Sequence, residues 1–491
     1  MYHVSINNVR YLGIALVTLL VYRAHQTLKK PSSKVPGPWY SKWTSLILKY
    51  HWLSGTRSFY VQALHQEYGP VVRIAPDYVD FCDIDATKTI YSAKETFRKS
   101  AWYSDFVPVE EQNIFSTRDI DFHRRHRRLL GGPMSESSLK SMIPLVNARI
   151  ELAITKMRDE MTTRGAADIY KWWIFMATDV IGELTFGDSF HMLELGKKNE
   201  YIRDIEKAAL IGALFSTFPC LARVAVFLPL PIIKTAATAA RNIRVYSLEY
   251  VRRYSQLLDE NPDRVQQTLF TKLFQAGEEG KLTFDEIVND SLSYILGGSD
   301  STALSLTYLI WYVCRDPEIQ TALVKELRTL PSDFTESDLR ELPYLGHVID
   351  ETLRLYAAAP SGLPREVPCG GAEISGYWLN EGITVCSQAY SMHRDPKIFP
   401  DPDKFDPSRW VSPTKVMNDA SMPFGKGARS CLGLHLAMIE LRLATARFFI
   451  EFPDATGSTL EGMSDADMVP KIYFLIHPTG GRCLIQKSEV L

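Results

Sequence analysis

The chain has 491 residues, long enough for several ordinary domains or for one unusually large one. With 46% hydrophobic and 23% charged residues it can build a substantial core, which excludes global disorder. A formal net charge of -2 gives no general attraction to polyanions, so nucleic acid is not an expected partner.

Residues 1–30 carry an uncharged run from Tyr11 to Tyr22, with Arg10 before it and Arg23, Lys29, Lys30 and Lys34 after it. A membrane span needs ~20 apolar residues, so this run spans only by recruiting its flanks through tilt, thinning or snorkelling. The expectation is nevertheless a membrane helix over 1–30, with its basic flank placing the body in the cytosol. A cleaved signal peptide and an interfacial helix are the rival readings, although no small-residue cleavage site follows cleanly. Repeated proline in Pro31–Pro38 then predicts a stiff hinge.

Val71–Phe81 alternates around a Pro-Asp turn and reads as a hairpin, with helix expected in the Thr87–Phe97 region. Helices are predicted near 136–163, 168–186 and 199–216, and a long buried one over 284–315. Further helices fall at 317–329, 337–356 and 432–449, with short strands near 371–377, 383–386 and 471–476. The fold class is therefore mainly α with minor β, preceded by the N-terminal membrane helix. One domain over 39–491 is preferred to several, since no repeat or later linker divides it.

The seven cysteines are scattered, odd in number and without a CxxC pair, which argues against a disulfide scaffold or a structural zinc site. A single thiolate can still hold a metal. Cys431 lies in Phe424-Gly-Lys-Gly-Ala-Arg-Ser-Cys431-Leu-Gly433, where three glycines permit a tight loop and close approach to a planar group. A helix beginning after it would aim N–H groups at the sulfur and stabilise the thiolate. A buried structural cysteine or a nucleophile are the alternatives that the residues alone leave open.

This segment resembles the haem loop of cytochrome P450 enzymes at every position of their F-x-x-G-x-R-x-C-x-G pattern. Glu351-Thr-Leu-Arg354 is similar to their E-x-x-R, and Phe405–Trp410 to their downstream aromatic-proline-arginine segment. Three residues apart on a helix, Glu351 and Arg354 share a face, and Arg409 can join them from a loop. The style is that of membrane-bound monooxygenases of filamentous-fungal specialised metabolism, placed single-pass in the endoplasmic reticulum membrane. The resemblance implies haem b with Cys431 as iron ligand, Phe424 beneath it, and Arg429, Arg127, His123 and Arg365 as cofactor contacts. His123 stands where the family usually has tryptophan, within the basic run His123–Arg128 whose other arginines can face solvent or a reductase.

In the long helix, Gly297-Gly-Ser-Asp-Ser-Thr302 places polarity among apolar neighbours. Each glycine there costs roughly 1 kcal/mol relative to alanine, which invites a reason such as close approach of oxygen or haem. A helix break or packing bulge is the alternative. The resemblance assigns Asp300 as proton gate, Ser301 as hydroxyl relay in place of the usual threonine, and Thr302 as a backup or helix-stabilising alcohol. The implied activity is insertion of one oxygen atom of dioxygen into a lipophilic small molecule, by default a hydroxylation. No flavin domain or nicotinamide fingerprint is evident, so NADPH electrons are expected through a separate NADPH-cytochrome P450 reductase. Substrate-facing candidates are Ser100–Pro108, Leu210–Phe218, Tyr294–Ser301 and Ala357–Leu363. A noncatalytic haem sensor and a rearrangement enzyme needing no reductase are the competing functions.

Overall fold

The computed structural model describes residues 24–106, 112–219, 231–260 and 268–488, together with Tyr11, Thr18, Val21 and Tyr22. The expected membrane helix over 1–30 is overturned: among the described residues no helix is long and apolar enough to cross a membrane. The membrane as a partner, the single-pass endoplasmic-reticulum placement and the likeness to membrane-bound enzymes in that respect are corrected with it. The uncharged run ending at Tyr22 falls well short of the ~20 residues a span requires, and most of it lies outside the described residues. The helical stretch that follows, 24–29, carries His25 and Lys29. Pro31–Lys34 forms a 3-10 turn. It is strapped to the body by buried Arg73, whose Nη1 donates to the Val35 carbonyl at 2.6 Å and to Ser32 at 3.2 Å.

The helices that frame the site are α1 (Ile120–Gly131), α2 (Ile143–Arg164), α3 (Ile169–Phe186), α4 (Glu200–Thr217), α5 (Pro231–Glu260), α6 (Phe284–Val313), α7 (Pro343–Leu355) and α8 (Leu434–Glu451). Beside them lies a sheet of β1 (Val71–Ala75), β2 (Tyr78–Phe81), β3 (Arg98–Lys99), β4 (Arg365–Glu366) and β5 (Thr384–Cys386), in spatial order β1-β2-β5-β4-β3. Only the β2–β5 pair is parallel within it. The mainly α, minor β character agrees with the sequence, as do the Val71–Phe81 hairpin and the long buried helix.

Local differences have local causes. The helix after the hairpin is Ile84–Ile90, shorter and earlier than expected, because the chain turns out at Glu95 (φ 53°) and becomes β3. The helix expected over 337–356 is two, Glu336–Arg340 and α7, since Pro343 has no N–H to continue a helix but suits the first turn of a new one. The strand expected at 371–377 is a hairpin, Ala372–Ile374 with Tyr377–Leu379, reversed at Ser375 and Gly376 with positive φ.

Helix α6 starts at a capping box in which Thr283 and Glu286 satisfy each other's backbone N–H groups. Its 30 residues cross the core, buried almost continuously from Thr302 to Ile310. The two glycines before Asp300 differ in purpose. A Cβ on Gly298 would sit 2.8 Å from Ile181 of α3, so this glycine lets two helices close, whereas one on Gly297 would meet nothing within 4 Å.

The anchor for the haem-loop side is Glu351, wholly buried on α7. Arg354 grips it with both Nε and Nη2 at 2.8 Å, Arg409 Nε donates at 2.9 Å, Trp410 Nε1 at 2.9 Å and the Asp406 N–H at 2.8 Å. Arg354 also donates to the carbonyls of His393 and Pro402 at 2.7 and 2.6 Å. His393 passes the constraint on: its Nδ1 donates to the Arg354 carbonyl at 2.8 Å and its Nε2 accepts the Met422 N–H at 2.9 Å. Burial pushes this imidazole down to about 3, so it stays neutral in the tautomer both bonds require. Met422 lies two residues before Phe424. Arg354→Ala would leave Glu351 charged and underpaired inside the core, a loss of about 3–5 kcal/mol in a urea unfolding experiment; a variant as stable as the wild type would contradict the anchoring role.

Candidate active site

The loop after Met422 is fixed by backbone demands. Gly425 and Gly427 adopt φ of 69° and 70°, and a Cβ on Gly427 would lie 1.8 Å from the Tyr91 carbonyl oxygen, so only glycine fits there. A 3-10 turn, Gly427–Arg429, follows, and the Cys431 N–H closes the loop on the Phe424 carbonyl at 2.8 Å. Phe424 packs half-buried against the main core. Cys431 is exposed, just ahead of α8. The surrounding protein pushes its thiol up, opposed by the Gly433 N–H and by Arg127. Among the described residues no cluster of three or more histidine, cysteine or acidic side chains could hold a bare metal ion, so Cys431 has no protein co-ligand set.

Positive charge is crowded beside this loop. Lys99 and Arg365 lie directly opposite each other in the β3–β4 ladder, an arrangement that repels unless an anion sits between or beside the pair. Both are buried. Arg429 follows from the loop, Arg127 from α1, and His123 faces all four. Glu95 is the one carboxylate ion-paired to this group among the described residues, bonded to Arg429 and 3.5 Å from His123. The cost of the imbalance is visible in the titrating groups. Burial first, then Arg365 and Arg429, hold the Lys99 ammonium well below its ordinary range. Burial, then Arg429 and Lys99, push His123 down to about 3. Arg365 Nη1 and His123 Nδ1 are buried without hydrogen-bond partners. Arg127 is placed by bonds from Nη1 to the Ser430 carbonyl at 2.6 Å and from Nη2 to Ser430 Oγ at 3.1 Å.

The acid–alcohol segment divides among three directions. Asp300 is enclosed, and burial with the nearby Glu206 of α4 raises its carboxyl to about 6, partly offset by Lys198. Ser301 donates to the Gly297 carbonyl one turn back at 2.7 Å. Thr302 points elsewhere: its hydroxyl donates to buried Glu440 of α8 at 2.9 Å.

The segment from Ser100 joins an aromatic wall in which Trp102 meets Tyr103 and Phe474, and Phe115 packs on both Tyr103 and Phe474. Val107 and Pro108 lie outside the described residues, as does the side chain of Leu210. Tyr294 is buried on Phe270, with ring centroids 5.2 Å apart, rather than presented to open space. In the basic run, Arg125 pairs with Glu286 and buried His126 with Asp290, while Arg124 and Arg128 are exposed. Sequence reasoning missed Lys99, Glu95, the His126–Asp290 pair and the Thr302–Glu440 bond. Lys99 sits in a two-residue strand, too short for any periodic signal, and only the register opposite Arg365 reveals it.

An exposed thiol in a glycine-framed loop, with Arg127 acting both on it and on a buried cation cluster short of anions, fits a haem-thiolate site. The unpartnered Arg365 and His123 nitrogens and the like-charged ladder pair would suit the two propionates of haem b. The profile of the Cytochrome P450 family matches residues 36–467. The chain is 45% identical to Cytochrome P450 monooxygenase tazI of Aspergillus terreus over 99% of its own length and 100% of that protein. It is 41% identical to Cytochrome P450 monooxygenase orf2 of Aspergillus niger, covering 96% and 95% of the two chains. It is 35% identical to Cytochrome P450 monooxygenase stcB of Emericella nidulans, covering 86% and 82%. The chain belongs to the cytochrome P450 family. It is a haem-thiolate monooxygenase of the fungal secondary-metabolism type, and a noncatalytic sensor role is set aside.

The charge imbalance gives a two-sided expectation for Lys99→Met. Haem-depleted protein should melt at a higher temperature, because one repelled cation is gone. The holoprotein should release haem to excess apomyoglobin ~10-fold faster, because one charge-assisted bond to the cofactor is lost. Equal release rates would remove Lys99 from the cofactor site.

Proposed function

We propose that the protein hydroxylates a lipophilic small molecule using dioxygen and NADPH electrons delivered by a separate NADPH-cytochrome P450 reductase. The observation that supports the reading best is the underbalanced cluster of Lys99, Arg365, Arg429 and Arg127 around His123, whose Arg127 is bonded to Ser430 and acts on the neighbouring Cys431 thiol. Haem b, when bound, would bind and activate dioxygen and so supply the oxidising chemistry, tuned by its thiolate ligand.

The chain's own residues do the rest. Cys431 would hold the iron, Phe424 would support the loop that carries it, and Arg127, Arg365, Arg429 and neutral His123 would hold the propionates. Asp300, raised to about 6, exchanges protons near neutral pH, which suits a gate between solvent and the buried site. Ser301 donates to the Gly297 carbonyl, leaving its oxygen lone pairs free to accept a hydrogen bond; as a relay it would release its own proton as it took one from the Asp300 side. Gly297 leaves open space where a side chain would otherwise stand. Thr302 is committed to Glu440 and serves as a helix-holding alcohol rather than a backup relay. The wall of Trp102, Tyr103, Phe115 and Phe474 excludes water and suits an apolar substrate. Exposed Arg124 and Arg128 on α1 offer positive charge to an acidic electron donor.

Two outcomes test this. Asp300→Asn should lower product formation ~10²-fold and divert reducing equivalents to peroxide, with Ser301→Ala smaller in effect, while substrate-induced spectral shifts persist; wild-type coupling in both variants would strip them of the proton role. Turnover should also require the reductase. Product formed from a hydroperoxide substrate with no electron donor would instead support the rearrangement reading.

A further inference from the structure

Glu440 has no place in the chemistry described so far, yet it is one of the most enclosed carboxyls in the molecule, 2% exposed. It lies on α8, the helix that starts behind Cys431. Its Oε2 accepts the Thr302 hydroxyl of α6 at 2.9 Å, and this is a bond between two side chains that are both buried. No ion pair reaches Glu440 among the described residues, and the one group that perturbs it besides burial is Thr302. The helix behind the thiolate is thus tied to the helix bearing Asp300 and Ser301 by the Thr302–Glu440 hydrogen bond, immediately beside that pair.

We infer that Glu440 is a positioning residue that sets the spacing between the thiolate helix and the oxygen-activating helix, and that it does so only while its carboxyl is protonated. Neutral, the carboxyl accepts from Thr302 and stays within the apolar layer between α6 and α8. Ionised, it becomes an unpaired charge in that layer, which recruits water and pushes the helices apart. Thr302 cannot compensate, because one hydroxyl bond replaces only part of the lost hydration. The role holds whether or not Asp300 carries protons.

Burial raises the Glu440 carboxyl to about 8. A carboxyl higher in the folded than in the unfolded state stabilises the fold only while both forms are protonated, so that stability declines as pH rises from the ordinary glutamate range and is fully lost above about 8. The other strongly raised carboxyls, Asp179, Asp300 and Asp350, are held near about 6, so a transition near 8 is separable from theirs.

The experiment is a pH titration of the haem-loaded protein between 6.5 and about 9.5, read by the Soret band, by melting temperature and by the infrared carboxylic-acid stretch. The wild type should lose the protonated-carboxyl signal with a midpoint near 8, the Soret band should shift with the same midpoint, and the melting temperature should fall as pH rises toward 8 and level off above it. Glu440→Gln keeps a neutral acceptor for Thr302 and should abolish that transition in all three readouts. Thr302→Val removes the bond that favours the ionised form and should move the midpoint up by about one pH unit. A wild type without a transition near 8, or a Glu440→Gln protein that retains it, would overturn the inference. Should Glu440→Gln fail to fold, an unmoved midpoint in Thr302→Val would overturn it equally.

Discussion

Everything around Cys431 answers to one constraint: Lys99, Arg127, Arg365 and Arg429 are brought together around His123, and among the described residues Glu95 is the one carboxylate ion-paired to them. A core does not assemble such a group for stability, since each buried cation must be desolvated and repels its neighbours. The fold tolerates it by tying every member to backbone or ring. Arg127 holds Ser430, Arg429 holds the Thr117 carbonyl at 3.1 Å, Lys99 lies 4.1 Å over the ring of Tyr103, and Arg365 lies 5.4 Å over the ring of Tyr91. His123 is kept neutral, which limits the charge to be matched. The two propionates of a bound haem would fill the remaining deficit, and cofactor binding would then add to folding stability.

The second organising element is the chain of contacts that carries rigidity from Glu351 to Cys431. Glu351 fixes Arg354, Arg354 fixes the His393 carbonyl, and His393 fixes Met422 at the entrance of the loop. Gly427 then passes beneath the Tyr91 carbonyl where no side chain fits, and Cys431 closes on Phe424. None of these residues reacts. Together they hold one sulfur atom at one height, which is what a metal ligand needs from its supporting shell.

The parts legible in the sequence were those with strong local grammar. The hairpin at Val71–Phe81, the capped helix from Thr283, the glycine loop before Cys431 and the Glu351–Arg354 spacing all declare themselves in a few residues. What stayed hidden depends on distant register. Lys99 gains meaning only opposite Arg365, 266 positions away, and Glu440 only through Thr302 on another helix. Gly298 reads like a site glycine but serves helix packing against Ile181. Composition misled at the N-terminus, where an apolar run with basic flanks suggested a span that no described helix provides.

A basic cluster that matches the two carboxylates of haem should tell haem from its neutral ester. The most direct measurement titrates haem-depleted protein with haem and, separately, with haem dimethyl ester, following the thiolate-type absorption and the dissociation constant of each. Esterification removes both charges and leaves the ring and iron unchanged. The ester should bind ~10²-fold more weakly or worse, since at least two charge-assisted bonds are lost. Equal affinity for the two would contradict the account.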